Sequence, residues 1–319
     1  MRAVNILAFG VAAAGLAVAA TGAPPSGKGG KGGNDSGPAY EVPTTVFVER
    51  QRRTPPRLVV AGNDSSKSQP VYQYENYAAY LHDAVLVSEG HGRALITDRA
   101  DNPLPMILVE FWFDTDGKIT DTSHVPLVSR PDWGCEALSS DGTRALYYDR
   151  DVSEVRVIDL ANGDDTTLVA SDPSQSFGSS CDYKSDDPLN LNGVLHAVVR
   201  DSSGARIDRI DMAAGSTSTV YGPTSADLRD FSIHYEGSNI ALVAISEDYT
   251  IRFGSNFSQA GAAPVSIASG TEADFYCEGT RLLFKGNVRK ARYTRVYDTT
   301  TGEAATYDDD SEWTPRTLC

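Results

Sequence analysis

From Thr44 onward the chain alternates short runs of β-branched and aromatic residues with Gly, Asp, Asn and Ser. The runs are RLVVAG, PVYQYE, AVLVS, RALITD, MILVEFWF, RALYYD, EVRVIDL, TTLVA, VLHAVVR, RIDRIDM, STVYG, IALVAI, YTIRF, RLLFKG and YTRVYD. Short apolar or alternating segments bounded by turn formers predict strands. Asp116-Gly117 and Asp141-Gly142 suit tight hairpins, because these residue types tolerate positive φ. No window of about 12 residues carries a helical stripe, so the class is all-β, with sandwich, barrel and propeller as the architectures to separate.

Repetition separates them. EVRVIDLANGDDTTLV, ARIDRIDMAAGSTSTV and YTRVYDTTTGEAATY share an alternating strand, an Asp, three residues, a Gly and a second strand. Their Asp and Gly pairs are Asp159/Gly163, Asp211/Gly215 and Asp298/Gly302. RALYY, VLHAVV and RLLFK lie upstream, which makes units of about four strands in about 40 to 50 residues, the size of a propeller blade. Clear units begin near Asp83, Asp132, Phe177, Asp230 and Asp274. RLVVAG and PVYQYE lack an innermost strand, while EWTPRTLC at the other end lacks a blade. Joining these remnants predicts a six-bladed β-propeller closed by the C-terminal strand, at about 46 residues per blade over 44–319.

The four cysteines fall on or beside first strands: Cys135, Cys181, Cys277 and Cys319. No two lie close enough for zinc-site spacing. Four cysteines allow three connectivities. The blade order makes Cys135 and Cys181 neighbours, and ring closure makes Cys277 and Cys319 neighbours. The expected bridges are therefore Cys135–Cys181 and Cys277–Cys319.

Residues 1–23, MRAVNILAFGVAAAGLAVAATGA, have one cation at Arg2, an apolar run and small residues at the end, the layout of a secretory signal peptide. The apolar run is shorter than the ~20 residues a membrane span needs. An exported protein, periplasmic or extracellular and without membrane insertion, is the expectation. Residues 24–43 are a Gly/Pro/Ser-rich flexible linker, and 44–319 form the propeller domain. Two phosphate-loop decoys, GAPPSGKG from Gly22 across the leader boundary and GKGGKG from Gly27 within the linker, neither follow a strand nor open a helix. The formal net charge of -15 disfavours nucleic acid and anionic lipid as partners. Cations, basic proteins or neutral ligands fit it better, and a monomer is expected.

The stretch DWGCEALSSDGTRALYYDRDVSEVRVIDLANGDDTTLV resembles the TolB-type propeller repeat. Trp133, Ser139, Ser140, Asp141, Gly142, Asp159 and Gly163 carry the match, with Ser140 standing where that family has Pro. The segments 177–221 and 274–307 match in part, and 230–268 lacks the Asp-x-x-x-Gly element. The resemblance implies the propeller fold. Propellers host many activities, so it does not imply one function.

The chemistry is sparse. There is no G-x-S-x-G and no H-E-x-x-H, and FDTDGKITD departs from the calcium-loop pattern after its second acid. Of His82, His91, His124, His196 and His234, His196 reads as a packed strand residue, and His82 and His234 lie on or next to first strands. The one constellation is acidic: Asp83, Asp132, Asp230, Asp274 and Glu312 recur at the starts of first strands. Converging at one channel mouth they could take calcium or a basic peptide; spread out, each would cap a turn or face solvent. Two functions follow. The first is an exported module that binds an unknown protein or small ligand through one face, with no cofactor. The alternative is a calcium-dependent propeller hydrolase of lactonase, phosphatase or glycan-cleaving type.

Overall fold

The computed structural model describes residues 41–49, 53–62, 65–77, 79–98, 104–130, 133–170, 176–184, 194–211, 214, 216–224, 228–236, 239–246, 250–255, 265–275, 280–288, 291–308 and 316–318. The chain divides into two compact units, Met1–Gly37 and Pro38–Cys319. The first lies outside the described residues, as do the expected leader and most of the linker. No helix among the described residues is long and apolar enough to cross a membrane.

The second unit is all-β with a propeller arrangement. β1 (Thr45–Glu49), β2 (Arg57–Ala61) and β3 (Gln69–Gln73) form its first sheet, whose other edge is the C-terminal β23 (Arg316–Thr317). The second sheet is β4 (Ala79–Ser88), β5 (His91–Asp98), β6 (Leu104–Phe113) and β7 (Ile119–Arg130). The third is β8 (Trp133–Leu138), β9 (Arg144–Asp149), β10 (Glu154–Asp159) and β11 (Asp165–Ala170); the fourth is β12 (Ser176–Lys184), β13 (Val194–Asp201), β14 (Gly204–Asp211) and β15 (Ser216–Thr224). The fifth comprises β16 (Leu228–Glu236), β17 (Asn239–Ser246), β18 (Thr250–Ser255), β19 (Val265–Phe275), β20 (Arg281–Val288), β21 (Ala291–Asp298) and β22 (Ala304–Asp308).

The expected six blades are thus corrected to five. Residues 228–308, anticipated as two repeats, make one seven-stranded sheet because β19 continues unbroken through 11 residues. Its first part pairs with β18, from Phe253↔Val265 to Thr250↔Ser269, and its second part pairs with β20, from Gly270↔Gly286 to Phe275↔Leu282. At the chain's other end β23 pairs antiparallel with β1 through Thr45↔Thr317 and Val46↔Arg316.

β2, β5, β9 and β13 are buried on both faces over most of their length, which is why their sequences read as continuous apolar runs rather than as alternation. In β9, Ala145 and Tyr147 pack with Leu95, Met106 and Leu108 of the second sheet. The intervening Leu146 and Tyr148 pack with Leu195, Ala197 and Val199 of the fourth. β13 repeats the device, giving Val198 to a cluster with Phe231 and Ile233 of the fifth sheet. Each fully buried Leu contributes about 1.5–3 kcal/mol of transfer free energy. Face-to-face packing of this kind joins each sheet to the next from the first to the fifth.

The repeated Asp-x-x-x-Gly signal is a turn. Gly163 N–H donates to the Asp159 carbonyl at 2.8 Å, and Gly302 N–H to the Asp298 carbonyl at 2.9 Å. The two glycines have φ of 77° and 76°. Each Asp carboxylate also accepts amides further on: Ala161 for Asp159, and Thr300 and Thr301 for Asp298. Asp supplies the side-chain acceptor and Gly the left-handed backbone.

Candidate functional site on the innermost strands

β4, β8, β12, β16, β19 and β23 contact one another in succession: β4 with β8, β8 with β12, β12 with β16, β16 with β19, β19 with β23 and β23 with β4. Five of these strands carry a bulge against the following strand. His82 is the extra residue in β4, between the pairs Leu81↔Ile96 and Asp83↔Leu95. In β8 the register slips between Gly134 and Ala137, and Cys135 there adopts φ 62°. Slips also fall between Phe177 and Cys181 in β12, Leu228 and Asp230 in β16, and Gly270 and Ala273 in β19. A bulge re-aims the side chains beside it. Here Asp83, Cys135, Cys181, Asp230 and Asp274 sit within or just after those bulges.

Of the expected acidic ring, Asp132 and Glu312 lie outside the described residues. Asp230 pairs with Ile245 in β16 directly after the slip. The carboxylates of the other two are aimed along the seams between inner strands. Asp83 Oδ2 accepts the Leu138 amide of β8 at 2.8 Å, and its Oδ1 accepts the Ala84 amide at 2.8 Å. Asp274 Oδ2 accepts the amide of Thr317 in β23 at 2.8 Å and its hydroxyl at 3.1 Å. Its Oδ1 accepts the Ser232 hydroxyl of β16 at 2.8 Å. Asp274 therefore ties three inner strands at one point. The Thr317 hydroxyl is also 2.5 Å from the Phe275 carbonyl, and the Ser232 hydroxyl accepts the Phe275 amide at 3.3 Å. Asp83 and Asp274 occupy the same register position, each opposite the Leu that lies two residues after an Arg, Leu95 and Leu283. Among the described residues, no group of three or more His, Cys, Asp or Glu is placed to hold a metal ion.

A second set spans the seam between β4 and β8. His82 Nε2 is 2.8 Å from the Thr97 hydroxyl, and Nδ1 is 3.5 Å from Glu136 Oε2. The Glu136 side chain is 7% exposed and that of His82 18%. The Tyr80 ring stacks on His82 at 6.4 Å. Sequence reading singled out His82 but not Glu136, Thr97, Ser232 or Thr317. The signal for Glu136 was the broken alternation of GCEAL, which marks the bulge. Nearby, Arg93 Nη1 donates to the Gly142 carbonyl, adding a further tie between the second and third sheets.

Other histidines are placed differently. His91 stacks on Trp112 with ring centroids 4.7 Å apart, and burial, aided by Arg93, holds its pKa below the ordinary value. His124 meets Tyr72 edge-on, and His196 is fully buried in β13. Burial, followed by the Asp98 charge, pushes the Tyr72 phenol well up, and burial does the same for Tyr74. Cys135 is fully buried, and no described cysteine is free. Cys181 pairs with Ala197 in β12, a strand in contact with β8. Cys277 and Cys319 lie outside the described residues.

No protein-family model matches this chain, and no curated protein sequence does. Solved structures do. A chain of a nidogen/laminin complex aligns at TM-score 0.57 with 9% identity, over 83% of this chain and 93% of that one. Puromycin hydrolase aligns at 0.48 with 15% identity, over 85% of this chain and 46% of that one. A puromycin-hydrolysing peptidase of Mycobacterium tuberculosis aligns at 0.47 with 14% identity, over 85% and 47%. The chain spans less than half the length of these two hydrolases. At such identities the likeness is one of fold, the β-propeller.

Proposed function

We propose that this chain is an exported β-propeller that acts as a binding module, taking a protein or ligand through one face of the ring. The observation that carries the reading is the use made of Asp83 and Asp274. Their carboxylates accept backbone amides from adjacent inner strands, so these two acids serve assembly instead of converging on a metal-sized pocket. The strong net negative charge fits a cationic or neutral partner better than an anionic one. The TolB-type repeat resemblance adds support for the architecture and leaves the partner undefined.

Export supplies an oxidising compartment, and the pairing Cys135–Cys181 and Cys277–Cys319 belongs to the same proposal. Two observations favour it. β8 and β12 are in contact, and the Thr317–Phe275 hydrogen bond falls two residues before Cys319 and Cys277 respectively. In the chain-entropy account each bridge, closing a loop of roughly 45 residues, constrains the unfolded chain by about 4 kcal/mol.

The test uses the chain secreted from its own leader. Binding of immobilised protein to a panel of basic proteins, measured with and without 0.5 M salt (about 4 Å Debye length), should find salt-sensitive partners. Thermal unfolding should be indifferent to millimolar calcium. Calcium-dependent turnover of a lactone, a phosphate monoester or a glycan would overturn the reading. Peptide mapping without reductant that joined Cys135 to Cys277 would overturn the pairing.

A further inference from the structure

We infer that His82 is a proton-operated tie between the innermost strands of the second and third sheets, tightening their seam as the medium becomes acidic. The geometry carries this. Bulges in β4 and β8 bring His82 and Glu136 to the same seam from opposite strands. The imidazole is bonded at Nε2 to the Thr97 hydroxyl and faces the Glu136 carboxylate at Nδ1, 3.5 Å away, with both side chains largely withdrawn from water. A threonine hydroxyl accepts as readily as it donates, so Thr97 can satisfy Nε2 whether or not that nitrogen carries a proton. Charge on the ring therefore decides the strength of the contact with Glu136. Protonated, the ring donates from both nitrogens and offsets a carboxylate that is 7% exposed. Neutral, it leaves that carboxylate facing an uncharged ring.

Among the described residues, other charged and titratable groups on β4 and the strands beside it are engaged as follows. On β4 itself, Tyr80 stacks on the ring, and Asp83 is committed to the Ala84 and Leu138 amides. β5 carries Asp98, whose Oδ2 accepts the Glu75 amide at 2.6 Å. β1 carries Glu49, paired with Arg57, and β23 carries Arg316. β8 contributes Glu136, a carboxylate within ion-pair distance of the ring. The sign follows from linkage. A histidine whose folded pKa is raised by a partner stabilises fully below its unfolded value and loses that contribution as pH rises through the folded one.

The deciding measurement needs no variant. In an NMR titration of the full chain, the His82 ring resonances should titrate with a midpoint above the ordinary ~6.5. A midpoint at or below that value overturns the inference. In parallel, the melting temperature of the wild type should exceed that of His82→Gln by several degrees more at pH 5.5 than at pH 8. Glu136→Gln should abolish that pH dependence. A gap between wild type and His82→Gln that is the same at both pH values would show a packing role only and overturn the inference.

Discussion

Replacing Asp274 by Ala removes one acceptor group from three donors at once. Thr317 Oγ1 retains the Phe275 carbonyl and Ser232 Oγ retains the Phe275 amide, so both hydroxyls stay partly satisfied. The Thr317 amide loses the acceptor that held it at 2.8 Å. Leaving one such donor without that acceptor costs about 1–3 kcal/mol, and the two hydroxyl bonds to a charged acceptor add to it. The expected loss is about 3 kcal/mol, and a domain of this size loses about 2 °C of melting temperature per kcal/mol, giving a fall of about 6 °C. Asp274→Asn keeps one carbonyl for the Thr317 amide and should cost about 1 kcal/mol. Thermal unfolding gives the magnitude, and amide exchange gives the location, because the Thr317 amide should lose protection before those of β9 do. An Asp274→Ala variant within 0.5 kcal/mol of wild type (about 1 °C), or one whose only defect was lost stabilisation by calcium, would refute the reasoning and revive a metal-binding role for the acids.

Three further outcomes test other parts of the fold. Gly117 and Gly163 share nearly the same positive φ, but a Cβ at Gly117 would lie 2.1 Å from the Glu41 carbonyl oxygen, whereas one at Gly163 meets nothing within 4 Å. Gly163→Ala should therefore cost only the ~1–2 kcal/mol of left-handed backbone, and Gly117→Ala clearly more, read from urea midpoints. Leu146→Ala removes a fully buried side chain between two sheets and should cost about 2–5 kcal/mol in the same assay. Hydrogen bonds from Ser203 and then from Arg206 lower the Asp201 pKa to about 2. The stability Asp201 contributes is present above the ordinary carboxylate pKa and is lost as pH falls through about 2. Its carboxyl carbon should titrate at that midpoint by NMR, and Asp201→Asn should flatten that part of the acid limb.

The mid-sheet strands and the Asp-x-x-x-Gly turns were legible because each depends on local chemistry. RALYYD and RALITD are apolar enough to be buried on both faces, and Asp159 with Gly163 encodes its own turn. The innermost strands were harder, since their bulges break the period-two pattern at His82, at Cys135 and Glu136, and around Asp230. Asp83, Asp132, Asp230, Asp274 and Glu312 were expected at the starts of first strands; Asp83, Asp230 and Asp274 lie within β4, β16 and β19, and spacing along the chain does not say whether a carboxylate points to a channel or to the next strand. For Asp83 and Asp274 that is decided by amides 55 and 43 residues away in sequence. The blade count went astray for a related reason: repeats can be counted in sequence, whereas continuity of β19 between its two hydrogen-bonded partners depends on how SIASGTEADF is held after folding.

That continuity has a consequence for how the domain can come apart. A repeat array with separate units can fray one unit at a time, and its modules can be excised or duplicated between boundaries. Among the described residues of 228–308 the two strand sets share one strand, because β19 pairs with β18 through Val265–Ser269 and with β20 through Gly270–Phe275. A nick or insertion there would release the edges of two strand sets together. This stretch should exchange, unfold and be inherited as one block, making it the least modular part of an otherwise modular molecule.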